Sequence, residues 1–162
     1  MRIAKEFHFE AAHRLRFHRG HCRNLHGHSY KLVAEIEGKP ASGPAACPDM
    51  DMVADFGTLK QVVHSVLFDD QDSVPFDHSV MLCVNDPLCQ ILEFEQGDET
   101  IGPLRMVKLT REPTAEYLAE LLAGLIGRRL KDAYEGDDDP PQLTRVEVWE
   151  TETSYAAWDA SD

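Results

Sequence analysis

The residues best suited to chemistry lie in a short, histidine-rich segment near the N-terminus. Six of the chain's eight histidines fall within its first 28 residues. His26 and His28 open a segment that alternates between polar and apolar residues, and residues two apart on a strand project from the same face. His13 follows another alternating segment and would complete a three-histidine set if the two strands pair. Three neutral imidazoles suit zinc and leave a fourth position open for a substrate; the alternative is chance clustering on a solvated loop.

Cys22 is a second candidate for chemistry. It lies four residues before His26 and has four arginines close by in the sequence. Positive charge and a nearby zinc ion would favour its thiolate, which could act as a base or a nucleophile. The spacing alone equally allows an inert loop thiol. The remaining cysteines, which are predicted to be small buried residues, are Cys47, Cys83 and Cys89.

Two further acidic positions could take part in a site. Asp77 directly precedes His78, and a carboxylate beside an imidazole can form an acid/base pair; an ordinary surface turn is the alternative. Glu150 ends an apolar strand face that includes Val146 and Val148. A carboxylate there must find a partner or shift its pKa, unless it reaches solvent at the strand end. A ligand edge with paired N–H donors, such as that of a pterin or a guanine, would satisfy it.

The composition limits the partners of this chain. Its 162 residues fit a single domain spanning 1–162, and its net charge of -13 argues against nucleic-acid binding. The first 31 residues nevertheless carry seven Lys or Arg against two Glu, which indicates a local site for a metal and an anion. No apolar run is long enough to cross a membrane. The first residues lack the apolar core of a signal peptide, so a cytoplasmic protein without disulfides is expected.

Hydrophobic periodicity predicts the elements that position these residues. Two-residue alternation predicts strands at residues 2–10, 29–37, 106–109 and 143–150. Helical spacing predicts helices over 56–67, from 87 to 92 and over 115–130, capped by Asp55, Asp86 and Thr114. Residues 11–25, 38–48 and 132–141 are predicted loops, and 96–99 a turn. This order suits an α+β domain with helices on one face of an antiparallel sheet, the other face being covered by sister subunits.

Several short motifs resemble those of one known family, in the family's order and over nearly the whole chain. They are Phe9-Glu10-Ala11-Ala12-His13-Arg14, the segment Cys22 to Tyr30, Val53-Ala54-Asp55-Phe56 with Leu59-Lys60, Phe76-Asp77-His78, Pro113-Thr114-Ala115-Glu116 and Trp149-Glu150-Thr151. The chain thereby resembles the 6-pyruvoyl-tetrahydropterin synthase and 6-carboxytetrahydropterin synthase family. It differs in having Asp51 where the family often has glycine, in a longer segment between His78 and Pro113, and in the acidic loop 132–141.

The resemblance implies a fold and an assembly. The fold is the tunnelling fold, a four-stranded antiparallel sheet with two main helices on one face, and several subunits assemble into a barrel. A homo-oligomer is expected, with a hexamer of two stacked trimers favoured.

The resemblance also assigns roles to the candidate residues. Cys22 becomes the catalytic base, and Asp77 and His78 complete a proton-transfer set across a subunit boundary. Glu150 anchors the pterin ring, and the N-terminal arginines are candidates for phosphate contacts. The residues assigned to zinc are His13, His26 and His28.

The implied reaction converts 7,8-dihydroneopterin triphosphate to 6-carboxy-5,6,7,8-tetrahydropterin on the route to 7-deazaguanine nucleosides such as queuosine, releasing acetaldehyde and triphosphate. The alternative product is 6-pyruvoyltetrahydropterin. The compact spacing from Cys22 to His28 is more similar to the carboxy-forming members, and Cys22 itself argues against the branch that has Glu there. Two further alternatives are a non-catalytic pterin- or purine-binding module and a zinc-structured protein in which Cys22 closes the metal site.

Overall fold

The computed structural model describes residues 1–43, 49–69, 74–95 and 104–160. The strands are β1 (Arg2–His13), β2 (His26–Glu37), β3 (Ser79–Cys83), β4 (Met106–Leu109), β5 (Gln142–Thr151) and β6 (Ser154–Asp159). The helices are α1 (Phe56–Leu67), α2 (Pro87–Glu95) and α3 (Ala115–Ala133). The strands form one sheet in the order β4-β3-β1-β2-β5-β6.

The fold is α+β, as predicted, and α1 and α3 correspond to the two main helices, but the predicted four-stranded antiparallel sheet is wrong. The described residues form six strands, and the sheet is mixed because β3 runs parallel to both β1 and β4. β3 and β6 were not predicted. β3 is an almost continuously buried run, so it lacks the alternation that predicted β1, β2 and β5. β6 is a short edge strand with no fully buried residue, so its sequence also carries little pattern.

β1 and β2 form a long antiparallel pair in which every residue from Arg2 to His13 has a partner. The sequence predicted a loop from residue 11, but β1 continues because Ala11 and His13 extend its buried face. As a result, His13 lies directly opposite His26 and Ala11 lies opposite His28. The hairpin therefore brings the three histidines to one end of the same sheet face.

The helices begin where the sequence predicted. The Asp55 side chain accepts a hydrogen bond from the Gly57 backbone at the start of α1, and Thr114 does the same for Tyr117 at the start of α3. The Asp86 carboxylate accepts from the Leu88 backbone at 2.9 Å at the start of α2. The buried side chains of α1 and α3 pack in one core with those of β1, β2 and β5.

Cys83 and Cys89 are buried, as predicted. The predictions for Cys47, for the turn at 96–99 and for part of the loop 38–48 lie outside the described residues. Among the helices that are described, none has the length and apolar character needed to cross a membrane.

Candidate functional site

Three histidines converge at the end of the β1–β2 pair. One ring nitrogen from each of His13, His26 and His28 lies within 4.8 Å of the corresponding nitrogens of the other two. The ring centroids are 4.6 Å apart for His13 and His26, 5.1 Å for His13 and His28, and 5.0 Å for His26 and His28. The structure thus brings together the three residues that the sequence proposed as metal ligands, and this group could hold one metal ion.

Backbone carbonyls fix the orientation of two of these rings. Nδ1 of His13 lies 2.8 Å from the Pro113 carbonyl oxygen, and Nδ1 of His26 lies 2.8 Å from that of Asn24. Because a carbonyl can only accept, Nδ1 must be the protonated nitrogen in both rings. The lone pair of Nε2 is then left for a metal, in the arrangement that orients histidine ligands in metal centres generally.

The electrostatics favour the metal-binding form of the rings. Burial lowers the pKa of His13 to about 4, the Pro113 carbonyl opposes this shift, and His26 and His28 add to it. Burial also lowers the pKa of His28, with a further contribution from His26 and opposition from a backbone hydrogen bond with Glu150. Both imidazoles are therefore neutral near pH 7, as a metal ligand must be.

Glu150 borders the histidine group without joining it. Its Oε1 lies 3.9 Å from Nε2 of His13, and its side chain is 27% exposed. Burial raises its pKa, the charge of Glu116 raises it further, and His26 opposes the shift. Glu150 follows the fully buried Val146 and Val148 along β5, as the sequence predicted. The carboxylate is thus partly desolvated and available to a ligand at the mouth of the site.

Tyr30 lies beneath the same group and was missed as a site residue. Its ring is 5.9 Å from that of His13 and 5.4 Å from that of His28. It is fully buried, and its hydroxyl has no hydrogen-bond partner among the described residues. The sequence contained only its place in the alternation of β2, which also fits an ordinary core residue.

Cys22 lies on a single 3-10 turn, His21–Arg23, and is half-buried. It is not a member of the group that could hold a metal, which among the described residues contains only the three histidines. This arrangement does not support the alternative in which Cys22 closes the metal site.

Asp77 and His78 form a hydrogen-bonded pair, with Asp77 Oδ2 2.7 Å from His78 Nδ1. Asp77 Oδ1 accepts a hydrogen bond from the Glu10 backbone at 2.9 Å, and His78, at φ 55°, turns the chain into β3. Burial would raise the pKa of Asp77, but the Glu10 backbone, His78 and Arg105 together lower it, so the carboxylate is charged beside the ring.

This pair faces a different surface from the metal-binding group. His78 is 70% exposed and lines a shallow cavity that Ala11 and His28 also border; its other lining residues on β1 and β2 are Glu10, Ala12, Gly27 and Ser29. Those four residues alternate along β1 and β2 with the metal-binding histidines, so they project from the opposite face of the sheet. Within one chain, the structure therefore does not bring the Asp77–His78 pair onto the face that carries the three histidines.

The chain is similar to proteins of one known family over nearly its whole length. Residues 2–161 match the profile of the family described as 6-pyruvoyl tetrahydropterin synthase. A relative from Haemophilus influenzae named 6-carboxy-5,6,7,8-tetrahydropterin synthase is 35% identical over an alignment that covers 97% of each chain. A relative of the same name from Aquifex aeolicus is 32% identical over an alignment that covers 96% of each chain.

Two solved structures share the fold. An uncharacterized protein from Wolinella succinogenes has a TM-score of 0.71 at 22% identity, covering 99% of this chain and 98% of that one. The Caenorhabditis elegans 6-pyruvoyl tetrahydropterin synthase has a TM-score of 0.63 at 20% identity, covering 99% of this chain and 95% of that one. The chain belongs to the 6-pyruvoyl tetrahydropterin synthase family.

Proposed function

We propose that this protein is a zinc-dependent synthase that converts 7,8-dihydroneopterin triphosphate and water to 6-carboxy-5,6,7,8-tetrahydropterin, acetaldehyde and triphosphate. The observation that carries the proposal is the convergence of three histidine nitrogens beside the half-buried carboxylate of Glu150. The names of the relatives from Haemophilus influenzae and Aquifex aeolicus favour this product.

The donor set fits zinc. His13, His26 and His28 offer three neutral imidazoles, and the Nδ1 atoms of the first two are already engaged by carbonyls. No fourth protein ligand joins the group among the described residues, so a position remains for the substrate. When bound, zinc would supply a Lewis acid that polarises the side-chain oxygens of the substrate.

Glu150 is the proposed anchor of the pterin ring. A partly buried carboxylate binds best to a rigid pair of N–H donors, because two parallel hydrogen bonds offset its desolvation. The 2-amino group and adjacent ring N–H of a pterin form such a pair. The position of Glu150 near His13 would place the substrate's side chain toward the three histidines.

Cys22 and His78 are the proposed proton-transfer residues. Cys22 would remove a proton from a carbon of the substrate's side chain, and His78, held by Asp77, would transfer a proton at a second position. The electrons left on that carbon expel the triphosphate from the neighbouring carbon. Release of acetaldehyde then requires the C1′–C2′ bond of the side chain to break. Water supplies the second oxygen of the carboxylate, and the dihydropterin ring takes up the two electrons lost by C1′. Because the Asp77–His78 pair lies on the other sheet face, a second copy of the chain would have to supply it to each site.

This shared site can be tested by mixing two inactive variants. Cys22→Ser and His78→Ala should each be inactive alone, and subunit exchange between them should restore activity in hybrids that contain one intact set. Light scattering would show whether the expected homo-oligomer, and the favoured hexamer, forms. Hybrids that form but stay inactive would contradict a site shared between copies.

The decisive experiment for the reaction is incubation of the purified protein with 7,8-dihydroneopterin triphosphate, followed by mass identification of products. Carboxytetrahydropterin together with acetaldehyde is the expected result. Pyruvoyltetrahydropterin would replace the proposed activity by that of the pyruvoyl-forming members. Tight binding of the pterin without any product would instead indicate a non-catalytic binding module.

A further inference from the structure

An ion pair with a buried carboxylate links the segment after β1 to the start of α2. The guanidinium of Arg14 donates two hydrogen bonds to the carboxylate of Asp86, one of them from Nε to Oδ2 at 2.6 Å. The side chain of Asp86 is 1% exposed and that of Arg14 is 24% exposed. A two-pronged pair in this setting has a defined geometry, unlike a solvated surface ion pair.

Arg16 makes a second set of links from the same segment. Its guanidinium donates to the carbonyl oxygen of Asn85, next to Asp86. Its backbone N–H donates to Glu112 Oε2 at 2.9 Å, and its Nε lies 3.5 Å from Glu112 Oε1. Residues 14–16 are therefore tied to two other parts of the chain, the turn before α2 and the segment before α3.

These links lead directly to Cys22. Leu15 lies between the two arginines, and its N–H donates to the carbonyl oxygen of Cys22 at 2.8 Å. The Leu15 carbonyl accepts a hydrogen bond from the His18 backbone N–H at 2.9 Å, and this bond closes a turn over residues 15–18. Two hydrogen-bonded contacts, Asp86 with Arg14 and Leu15 with Cys22, are thus joined by the peptide bond between Arg14 and Leu15.

Apolar packing does not hold this segment. None of the residues from 14 to 25 is buried, and Phe17 is 76% exposed. A loop without buried side chains depends on its polar contacts for a single conformation. Among the contacts described above, the ion pair of Arg14 with Asp86 contains the most buried side chain, so its loss would leave a buried charge without compensation.

The charge of Asp86 is stabilised where it lies. Burial would raise its pKa, but the hydrogen bond from Arg14, the Leu88 backbone N–H and the charges of Arg14 and Arg16 together lower it. These partners hold the buried, charged carboxylate of Asp86 in place. Loss of the charge of Arg14 would leave the charge of Asp86 buried without compensation.

We propose that Asp86 is a positioning residue that, through Arg14, holds the loop of residues 14–25 in the conformation that presents Cys22 to the substrate. The turn before α2 therefore restrains the loop that contains Cys22; we call this contact of Asp86 with Arg14 the brace. Only the catalytic consequence of this proposal rests on the proposed function; the restraint on the loop does not.

The test is Asp86→Asn, which keeps a side-chain oxygen for the Leu88 N–H but removes the charge that holds Arg14. Asp55→Asn is the matched control, because Asp55 caps α1 in the same way. Asn is as good a cap as Asp, so both variants should fold. Limited trypsin digestion reports on the loop directly, since Arg14, Arg16, Arg19 and Arg23 are cleavage sites within it.

Trypsin should cleave the loop of Asp86→Asn about tenfold faster than that of the native chain, and Asp55→Asn should match the native rate. Zinc content should be unchanged, because the three histidines are not altered. The kcat should fall about 10- to 100-fold with little change in KM, as expected when a base is misplaced but the ring anchor on β5 is intact.

Arg14→Lys provides a second variant, because it keeps the charge but loses the two-pronged geometry. It should behave like Asp86→Asn, and the double variant should be no worse than either alone. If trypsin cleaved the loop of both single variants at the native rate, the proposal would be overturned. It would also be overturned if zinc content fell as much as kcat, because the lost activity would then come from lost metal. If the native protein makes no product, the proposed function fails, while the trypsin comparison still decides whether Asp86 restrains the loop.

Discussion

The carbonyl oxygen of Pro113 lies 2.8 Å from Nδ1 of His13, although 100 residues separate the two in sequence. The contact joins the end of β1 to the segment just before α3. It fixes which nitrogen of His13 carries the proton, and so which nitrogen is left for a metal. Glu112, the residue before Pro113, accepts a hydrogen bond from the backbone N–H of Arg16. The segment of Glu112 and Pro113 therefore positions both the candidate ligand His13 and the first residues of the loop that contains Cys22.

The first prediction concerns metal content. Replacement of His13, His26 or His28 by Ala should each abolish the bound zinc, expected at about one ion per chain, because two imidazoles cannot match the affinity of three. His8→Ala is the matched control, since His8 is on β1 but exposed and contacts Glu6 instead. Elemental analysis of the purified variants checks this. Full metal content in His26→Ala would show that the ion is held elsewhere.

The second prediction concerns the pterin anchor. Glu150→Gln should retain zinc and fold but lose about 2–5 kcal/mol of pterin binding, because an amide presents a donor where the ring requires an acceptor. Glu147→Gln, three residues earlier on β5, is the control, since Glu147 is engaged by Arg145 and Trp149. Titration calorimetry with a pterin checks the difference. Equal affinity in Glu150→Gln and the native chain would place the anchor at another residue.

The third prediction concerns stability of the metal-free protein in acid. The pKa of His13 is about 4 in the folded chain against 6.5 as the ordinary value. Below pH 6.5 the unfolded chain binds a proton that the folded chain does not. The contribution of His13 is thus complete above pH 6.5 and is lost as the pH falls toward 4, by at most about 1.4 kcal/mol per pH unit.

Urea denaturation of the metal-free protein between pH 4.5 and 6.5 measures this slope. His13→Asn cannot take up the proton. The slope of its free energy of unfolding against pH should therefore be smaller, by up to the contribution of one bound proton, about 1.4 kcal/mol per pH unit. Identical slopes for the two proteins would mean that the unfolded and folded chains protonate His13 alike.

The parts of the fold that were predictable have strong local patterns. The strand that became β2 alternates cleanly, and the helices α1 and α3 have apolar residues at helical spacing behind clear caps. β3 was missed because a strand that is buried on both faces has no alternation. The end of β1 was misplaced because Ala11 and His13 are weak strand formers alone, and only pairing with β2 extends the strand to them.

The candidate site divides in the same way. His26 and His28 could be proposed from their two-residue spacing, because that spacing has a fixed meaning on a strand. The contacts of His13 with Pro113 and of Arg14 with Asp86 could not be predicted, because they join residues that are 100 and 72 positions apart in the sequence. Contacts over such distances depend on how the whole chain packs, and a local pattern contains no trace of them.

The last prediction concerns Cys22 as the base. Its turn has no buried residue, so the thiol is not required for packing. It also lies outside the group of histidines that could hold the metal, so it is not required for zinc. Cys22→Ser should therefore retain fold, zinc and pterin binding.

Turnover of Cys22→Ser should nevertheless collapse by about 10²–10⁴, because a serine hydroxyl is far too weak an acid to ionise near neutral pH and cannot serve as the base. Zinc content and turnover must be measured on the same preparation, with Cys83→Ser as a comparison for thiol loss at a buried position away from the site. If zinc and turnover both stayed near native values, Cys22 would have no part in the reaction. His78 would then have to act as the sole base, and the brace formed by Asp86 would hold a loop without a catalytic residue.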